Sequence, residues 1–127
     1  MNNFEVYVKE VIDLKKTKEY DLAWRKANEN MLKLVSEGHQ MWYMMYYQMA
    51  DILAREKRWY EALKHMTYVS HYIGRIGGTT HQRFIERLLK KVDRSSYLPD
   101  YIRILIDPEL DLETKIRRST EFKSLSS

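Results

Sequence analysis

Residues 46–69 read YYQMADILAREKRWYEALKHMTYV, and this stretch decides the fold. Apolar side chains recur at every third or fourth position before and after a short charged joint, Arg55-Glu56-Lys57-Arg58, which is the spacing of amphipathic helices. Ala62 follows the joint and is small enough to let two antiparallel helices approach closely. Trp59, three positions earlier, can fill the wedge at their base. The stretch therefore predicts a helical hairpin.

The same helical spacing extends over almost the whole chain, and no run alternates with period two for long enough to predict a strand. Gly38 and Gly77-Gly78 are expected to end helices, and Asp107-Pro108 to start the last helix with the aspartate as its cap. We predict an all-α fold, an array of about six to seven helices in antiparallel hairpins. The expected units are a single helical domain over 1–123 with hairpins at about 4–37, 39–76 and 79–106, a terminal helix at 107–122, and a flexible tail at 124–127.

Two segments of the chain look alike. An aromatic residue stands three positions before an alanine in Tyr20-Asp21-Leu22-Ala23 and again in Trp59-Tyr60-Glu61-Ala62. The same interval, counted once more along the chain, leads to Leu98-Pro99-Asp100-Tyr101, a weaker copy. Each segment is expected to begin the second helix of a hairpin, so the sequence indicates an internal repeat.

These motifs resemble the tetratricopeptide repeat (TPR) family in degenerate form. The best match gives the family's order of large, small and aromatic positions, and it consists of Tyr46, Met49, Ala50, Leu53, Trp59, Ala62, Met66 and Val69. The resemblance covers about residues 4–76. The interval from Ala23 to Ala62 is longer than the family's repeat of about 34 residues, and the proline that usually ends each repeat is absent.

The resemblance implies a small non-enzymatic adaptor or regulator. Family members hold segments of partner proteins in a concave groove formed by the first helix of each hairpin. In this chain the corresponding groove positions would be Met44, Tyr47, Gln48, Asp51 and Arg55. Many members bind chaperone tails through a clamp of lysine and asparagine residues, and here the clamp's asparagine falls at Asp51 and its first lysine at Tyr47. That departure argues against a chaperone tail as the partner.

A basic stripe is the second candidate binding surface. Arg83, Arg87, Lys90 and Arg94 are spaced four, three and four, which places them on one face of a helix predicted over 79–94. Such a stripe suits an acidic segment of a protein, or a phosphate backbone if the chain is a nucleic-acid-associated regulator. An ordinary solvated helix face would show the same pattern, and no RRM, KH or zinc-finger motif accompanies it.

Composition excludes several classes of site. The chain has 127 residues, a net charge of +4 and no cysteine, so a disulfide framework, a thiolate metal site and a cysteine nucleophile are excluded. The four histidines do not have metal-ligand spacing, and no nucleophile elbow or phosphate-binding glycine loop is present. We therefore expect no enzyme activity, no metal and no cofactor.

The aromatic run at 41–47, MWYMMYY, is apolar on every side. This pattern predicts either a central helix with neighbours on two sides or residues that face a partner. No secretory signal or membrane span is recognisable, so a cytoplasmic protein that does not bind membranes is expected. Because two or three hairpins are near the minimum for a stable array, a homo-oligomer is also an expectation.

Overall fold

The computed structural model describes residues 3–121, and within that range it contains helices and no strand. The prediction of an all-α fold is therefore confirmed. Two short 3-10 turns, Trp42–Met44 and Ser95–Tyr97, precede the third and sixth α-helices. The predicted tail at 124–127 and residue 122 lie outside the described residues. The α-helices of the described range are α1 (Asn3–Lys16), α2 (Tyr20–Ser36), α3 (Met45–Arg55), α4 (Trp59–Ile73), α5 (Thr79–Lys91), α6 (Leu98–Ile106) and α7 (Leu112–Thr120).

The first four helices form two antiparallel pairs. Near the start of α1 the Tyr7 hydroxyl donates a hydrogen bond of 2.7 Å to Glu37, which directly follows α2. The Trp42 ring, just before α3, lies 4.9 Å from the ring of Tyr72 near the end of α4. In both pairs the beginning of one helix meets the end of the next, so the two helices run in opposite directions.

Three turns of the structure share one backbone geometry. Lys18, Lys57 and Asp93 have positive φ angles of 60°, 63° and 58°, two residues after α1, α3 and α5 end. This is the left-handed cap with which helices often terminate. In each turn the next residue donates its N–H to a leucine carbonyl five positions earlier: Glu19 to Leu14, Arg58 to Leu53, and Arg94 to Leu89, at 3.0, 2.9 and 2.8 Å. The same helix termination thus follows α1, α3 and α5, which are the first helices of the predicted hairpins.

The starts of three helices follow the interval predicted from the sequence. The helices α2, α4 and α6 begin at Tyr20, Trp59 and Leu98, so the segment Leu98-Pro99-Asp100-Tyr101 opens a helix as predicted. Tyr101 is fully buried, as Ala23 and Ala62 are at the matching positions. The left-handed turns are less evenly spaced, and the 3-10 turn Ser95–Tyr97 lies between the third of them and α6.

The third hairpin, predicted at 79–106, is built differently from the first two. The backbone of α5 packs against α4 and against the Ser95–Tyr97 turn, while the backbone of α6 packs against α4 and α7. The long helix α4 is thus the common neighbour of α3, α5, α6 and α7. A helix pair of the kind formed by α3 and α4 does not recur in this part of the described chain.

Buried polar groups fix α7 to the rest of the molecule. The Thr67 hydroxyl of α4 lies 3.3 Å from the hydroxyls of both Tyr101 and Ser119, and all three side chains are buried. Lys115 of α7 is also buried, and its ammonium donates a 3.0 Å hydrogen bond to the carbonyl of Leu105 near the end of α6. Buried polar groups need such partners to avoid a large desolvation cost, so these bonds specify how α7 docks.

The last helix begins later than predicted. Asp107 does not cap it: its carboxylate accepts a 2.9 Å hydrogen bond from the N–H of Glu109, which makes a local turn instead. Asp111 is the actual cap and accepts a 2.7 Å bond from the N–H of Thr114. The helix therefore starts at Leu112 rather than at 107.

The fourth helix ends earlier than predicted, because the glycine that terminates it is not in the Gly77-Gly78 pair. Gly74 has a φ of 79° and donates its N–H to the carbonyl of Ser70, so α4 stops at Ile73. Glycine adopts this left-handed backbone without the steric cost that a side chain would bring. The second hairpin thus closes before the predicted boundary at 76.

The core consists of two apolar clusters that share α3. Met45, Met49 and Ile52 of α3 face the cluster that contains Val11, Ala23, Ala27 and Leu34 of α1 and α2. Ala50 and Leu53, on the other side of α3, belong to the cluster formed with α4, α5 and α6. The helix α3 is thus central, with neighbours on two sides. This is one of the two explanations that the sequence left open for the aromatic run at 41–47, the other being residues that face a partner.

The contact of α3 with α4 can be tested at Ala62, which is fully buried. We expect Ala62→Leu to lower the free energy of unfolding by about 1–3 kcal/mol, because the added methylene groups overpack the interface. The control is Lys64→Leu on the exposed side of the same helix, which should change stability by no more than about 0.5 kcal/mol. Urea unfolding followed by circular dichroism measures both. Equal losses in the two variants would contradict the assignment of Ala62 to a close helix contact.

Candidate partner-binding cleft

A surface cleft of about 250 Å³ lies where α3, the start of α4 and α5 come together. It is the place where the predicted groove and the predicted basic stripe meet, since α3 carries the former and α5 the latter. Its lining combines cationic, aromatic and small apolar side chains. The lining residues are Asp51, Ala54, Arg55, Trp59, Phe84, Arg87, Leu88 and Lys91.

Two cations of the cleft lie over aromatic rings. The Arg87 guanidinium is 5.2 Å from the centroid of the Phe84 ring, and the Lys91 ammonium is 5.4 Å from the centroid of the Trp59 ring. Cation–π contacts at this distance hold a charged group over an apolar surface while its remaining hydrogen-bond donors stay accessible. Arg87 and Lys91 are one helical turn apart and both are exposed. The cleft thus has an apolar floor and a cationic rim.

The α3 wall of the cleft is held by a buried lysine from α1. The Lys15 ammonium donates hydrogen bonds to the Gln48 side chain and, at 2.8 Å, to a carboxylate oxygen of Asp51. The same oxygen of Asp51 accepts a 3.0 Å bond from Nε of Arg55. Only 8% of the Lys15 side chain is exposed, so this ion pair is far less screened than a surface pair. The carboxylate of Asp51 is consequently paired with Lys15 and Arg55 of the same chain and supports the wall of the cleft.

Electrostatics keep Asp51 ionised and Tyr47 neutral. Burial by itself opposes ionisation of Asp51, but the hydrogen bonds and charges of Lys15 and Arg55 outweigh it and hold the pKa of that carboxyl below its ordinary value. Burial raises the pKa of Tyr47, as does the nearby charge of Asp51, against a smaller opposing effect of Arg87. Tyr47 therefore offers a phenol O–H donor at neutral pH.

The five residues predicted to line the groove do not all lie in the cleft. Asp51 and Arg55 line the cleft, and Tyr47 adjoins it, with its ring 5.6 Å from that of Phe84 and stacked 4.7 Å from that of His81. The Gln48 side chain accepts the bond from Lys15. Met44 is half-buried in the turn that precedes α3 and is not among the residues that line the cleft.

The predicted basic stripe is shorter than the sequence indicated. Arg83, Arg87 and Lys90 are exposed on α5, but that helix ends at Lys91 rather than at 94. Arg94 follows the left-handed residue Asp93, so it lies on the turn and not on the helix face, and this part of the prediction is wrong. Only Arg87 of the stripe lines the cleft; Arg83 borders a second depression of about 390 Å³ beside Gly77 and Gly78.

Arg87 and Lys91 form no ion pair with a carboxylate of residues 3–121. The ion pairs within that range use the basic residues Lys9, Lys15, Lys26, Arg55, Arg58 and Arg103. Other exposed basic residues, such as Arg25 and Lys64, are also in no ion pair there, so this property is not special to α5. What is particular to Arg87 and Lys91 is their place at the rim of the cleft, where both are accessible to an anionic group.

Three residues that shape this site were not predicted from the sequence as site residues. Lys91 falls outside the four-three-four pattern of the stripe, yet its position four residues after Arg87 was a signal for a shared helix face. Trp59 was assigned to the hairpin wedge, and it also forms the cleft floor. Lys15 follows Val11 by four positions and so lies on the buried face of α1, where a lysine requires an anionic partner.

Among residues 3–121 there is no group of three or more histidine, aspartate or glutamate side chains placed to hold a metal ion. None of the helices in that range is both long enough and apolar enough to span a membrane. No protein-family model, curated protein or solved structure matches the chain.

The ion pair between α1 and α3 makes a pH-dependent prediction. Lys15→Met should lower the free energy of unfolding at pH 7 by about 1–3 kcal/mol, because it leaves the half-buried Asp51 with one cation fewer. A carboxyl whose pKa is depressed by folding stabilises the fold above its ordinary pKa and loses that effect as the pH falls through the folded-state pKa. The difference from wild type should therefore shrink below about pH 4.

The matched control is Lys9→Met, which removes an exposed pair with Asp13 in the same helix. Its effect should stay within about 0.5 kcal/mol at both pH values. Urea unfolding at pH 7 and pH 3 distinguishes the variants. A Lys15→Met deficit that is as large at pH 3 as at pH 7 would show that packing, and not the charge of Asp51, is the cause.

Proposed function

We propose that the chain is a non-enzymatic protein–protein interaction module that holds a segment of a partner protein in the cleft between α3 and α5. The observation that carries the proposal is the cleft itself. It joins the predicted groove residues Asp51 and Arg55 to the stripe residue Arg87, over an apolar floor. The module has no chemistry of its own and acts as an adaptor or regulator.

The finer proposal is that the module is a degenerate TPR-like array. Support comes from the two antiparallel helix pairs and from the three turns with the same left-handed cap and hydrogen bonds. The small residues Ala23 and Ala62, which open the second helices of those pairs, are fully buried. In such an array the first helices of successive units line one face, and the cleft lies between two of them, α3 and α5.

The chemistry of the cleft favours an acidic partner segment with an apolar side chain. Arg87 and Lys91 lack carboxylate partners within residues 3–121, and hydrogen bonds between ionised groups are stronger than neutral ones. Trp59 and Ala54, which are half-buried, give the apolar side chain accessible surface to cover, and the buried side chains of Phe84 and Leu88 lie beneath them. Electrostatic complementarity of this kind mainly sets specificity and association rate, while the apolar anchor lengthens the lifetime of the complex.

Charge reversal of the rim tests this proposal. Arg87→Glu with Lys91→Glu should lower recovery of a specific partner at least about tenfold in affinity capture from the cells that make the protein. The control is Arg25→Glu with Lys64→Glu, which makes the same charge change at exposed positions on α2 and α4. The recovered partner is then titrated directly against all three proteins. If wild type and both variants bind it equally, the cleft is not the binding site.

A second candidate function, a nucleic-acid-associated regulator, is favoured by one observation. Arg83, Arg87 and Lys90 are exposed at helical spacing on α5, and none forms an ion pair within residues 3–121. Phosphate groups could replace the missing carboxylates. The cleft combines its cations with apolar lining residues, which suits a protein segment with an apolar side chain better than a phosphate backbone, so the protein segment is the leading occupant.

Binding to mixed-sequence DNA and RNA separates the two candidates. If the chain binds nucleic acid, fluorescence anisotropy should detect binding at about 50 mM salt. The affinity should fall about 10-fold or more by about 200 mM salt, because phosphate contacts release counterions. Arg83→Glu with Lys90→Glu should abolish it, while Arg25→Glu with Lys64→Glu should weaken it only slightly. Undetectable binding of the wild type at low salt would eliminate this candidate.

A further inference from the structure

Residues 107–113, DPELDLE, carry four carboxylates and no cation. Two of the carboxylates have local roles, since Asp107 accepts from the N–H of Glu109 and Asp111 caps α7. Glu109 and Glu113 are exposed and form no ion pair within residues 3–121. Directly before the segment, Ile106 exposes 41% of its surface, as several other large apolar side chains of the described range also do. The segment, called here the acidic turn, thus combines acidic and apolar groups.

The acidic turn carries exposed carboxylates that could pair with the cations at the rim of the cleft. Arg87 and Lys91 on the rim have no carboxylate partner within residues 3–121, and Glu109 and Glu113 have no cationic partner in that range. The acidic turn lies at the junction of α6 and α7, and no ion pair of the described range links it to α5. The two charged groups are therefore complementary, but the fold does not bring them together within one molecule.

We propose that the cleft of one copy binds the acidic turn of a second copy, so that the chain associates head to tail. The carboxylates of Glu109 and Glu113 would pair with Arg87 and Lys91, and Ile106 would cover the floor formed by Trp59 and Phe84. Charge complementarity between these carboxylates and cations favours the acidic turn of a second copy as the occupant of the cleft. The proposal names an occupant for the cleft and so rests on the proposed function of that cleft as a binding site.

Head-to-tail contacts use two different patches of each subunit, so they are heterologous. In an open chain of copies, one end keeps an unused cleft and the other end an unused acidic turn, so further copies can add unless the chain closes into a ring. Because the ion pairs lie at the surface, the association should be weak, dependent on concentration and suppressed by salt. A partner segment that binds the same cleft would compete with it.

Two neutralised variants separate the two sides of this contact. The cleft variant is Arg87→Gln with Lys91→Gln, and the turn variant is Glu109→Gln with Glu113→Gln. All four residues are exposed, so the fold should be unaffected, which circular dichroism and urea unfolding verify. Each protein is analysed by sedimentation velocity over a concentration series at about 50 mM and about 500 mM salt.

The wild type should exceed its monomer mass of 15.4 kDa at high concentration and return to it at high salt. Each variant alone should remain a monomer. The decisive sample is an equimolar mixture, because the intact turn of the cleft variant can bind only the intact cleft of the turn variant. It should give a one-to-one complex of about twice the monomer mass and nothing larger.

Three results would overturn the proposal. The first is a wild type that stays monomeric at low salt over the whole concentration series. The second is self-association of either variant to the same extent as wild type, which would place the contact elsewhere. The third is a mixture of two monomeric variants that forms no complex. The turn variant keeps its cleft, so partner binding by that variant is measured separately and distinguishes failure of this inference from failure of the proposed function.

Discussion

The packing of α3 against α4 is the contact on which the rest of the molecule depends. Ala50 and Ala62 are fully buried at this contact, which allows the two helices to lie close together, and Leu53 and Met66 fill the space beside them. The first two helices then dock on the other side of α3, while α5, α6 and α7 dock on α4. The cleft follows from the same contact, because its walls come from α3 and α5 and its floor from the start of α4.

The sequence predicted the existence of the helices better than their ends, and the reasons are local. Asp107 and Asp111 can each cap a helix or make a turn, and only the docking of α7 on α4 decides which does so. Gly74 and Gly77 are equally able to adopt a left-handed backbone, and the structure uses the first. The constant interval located the start of α6 at Leu98, although the connection from α4 to α5, at 74–78, is shorter than the one from α2 to α3, at 37–44, and the 3-10 turn Ser95–Tyr97 precedes α6.

The candidate site was predictable in its parts but not in its assembly. Helical spacing identified Asp51 and Arg55 on one helix and Arg87 on another, but it contains no information on the angle at which those helices meet. The burial of Lys15 is a tertiary effect, and it changes the role of Asp51 from ligand contact to wall support. Trp59 illustrates the same limit, because a residue that fills a hairpin wedge can also present one face to a neighbouring helix.

The distribution of charge explains why one surface supports both proposals. Arg83, Arg87, Lys90 and Lys91 outnumber the single carboxylate of α5, Glu86, so an anionic segment that reaches them gains electrostatically. The acidic turn of a second copy is one such segment, and it is always present at the concentration of the protein itself. A partner with the same carboxylates and a larger apolar anchor would bury more of the floor and displace it. A partner would then have to bind the cleft more tightly than the acidic turn of a second copy does. This competition would make the cleft selective even if each of its contacts with the partner is weak.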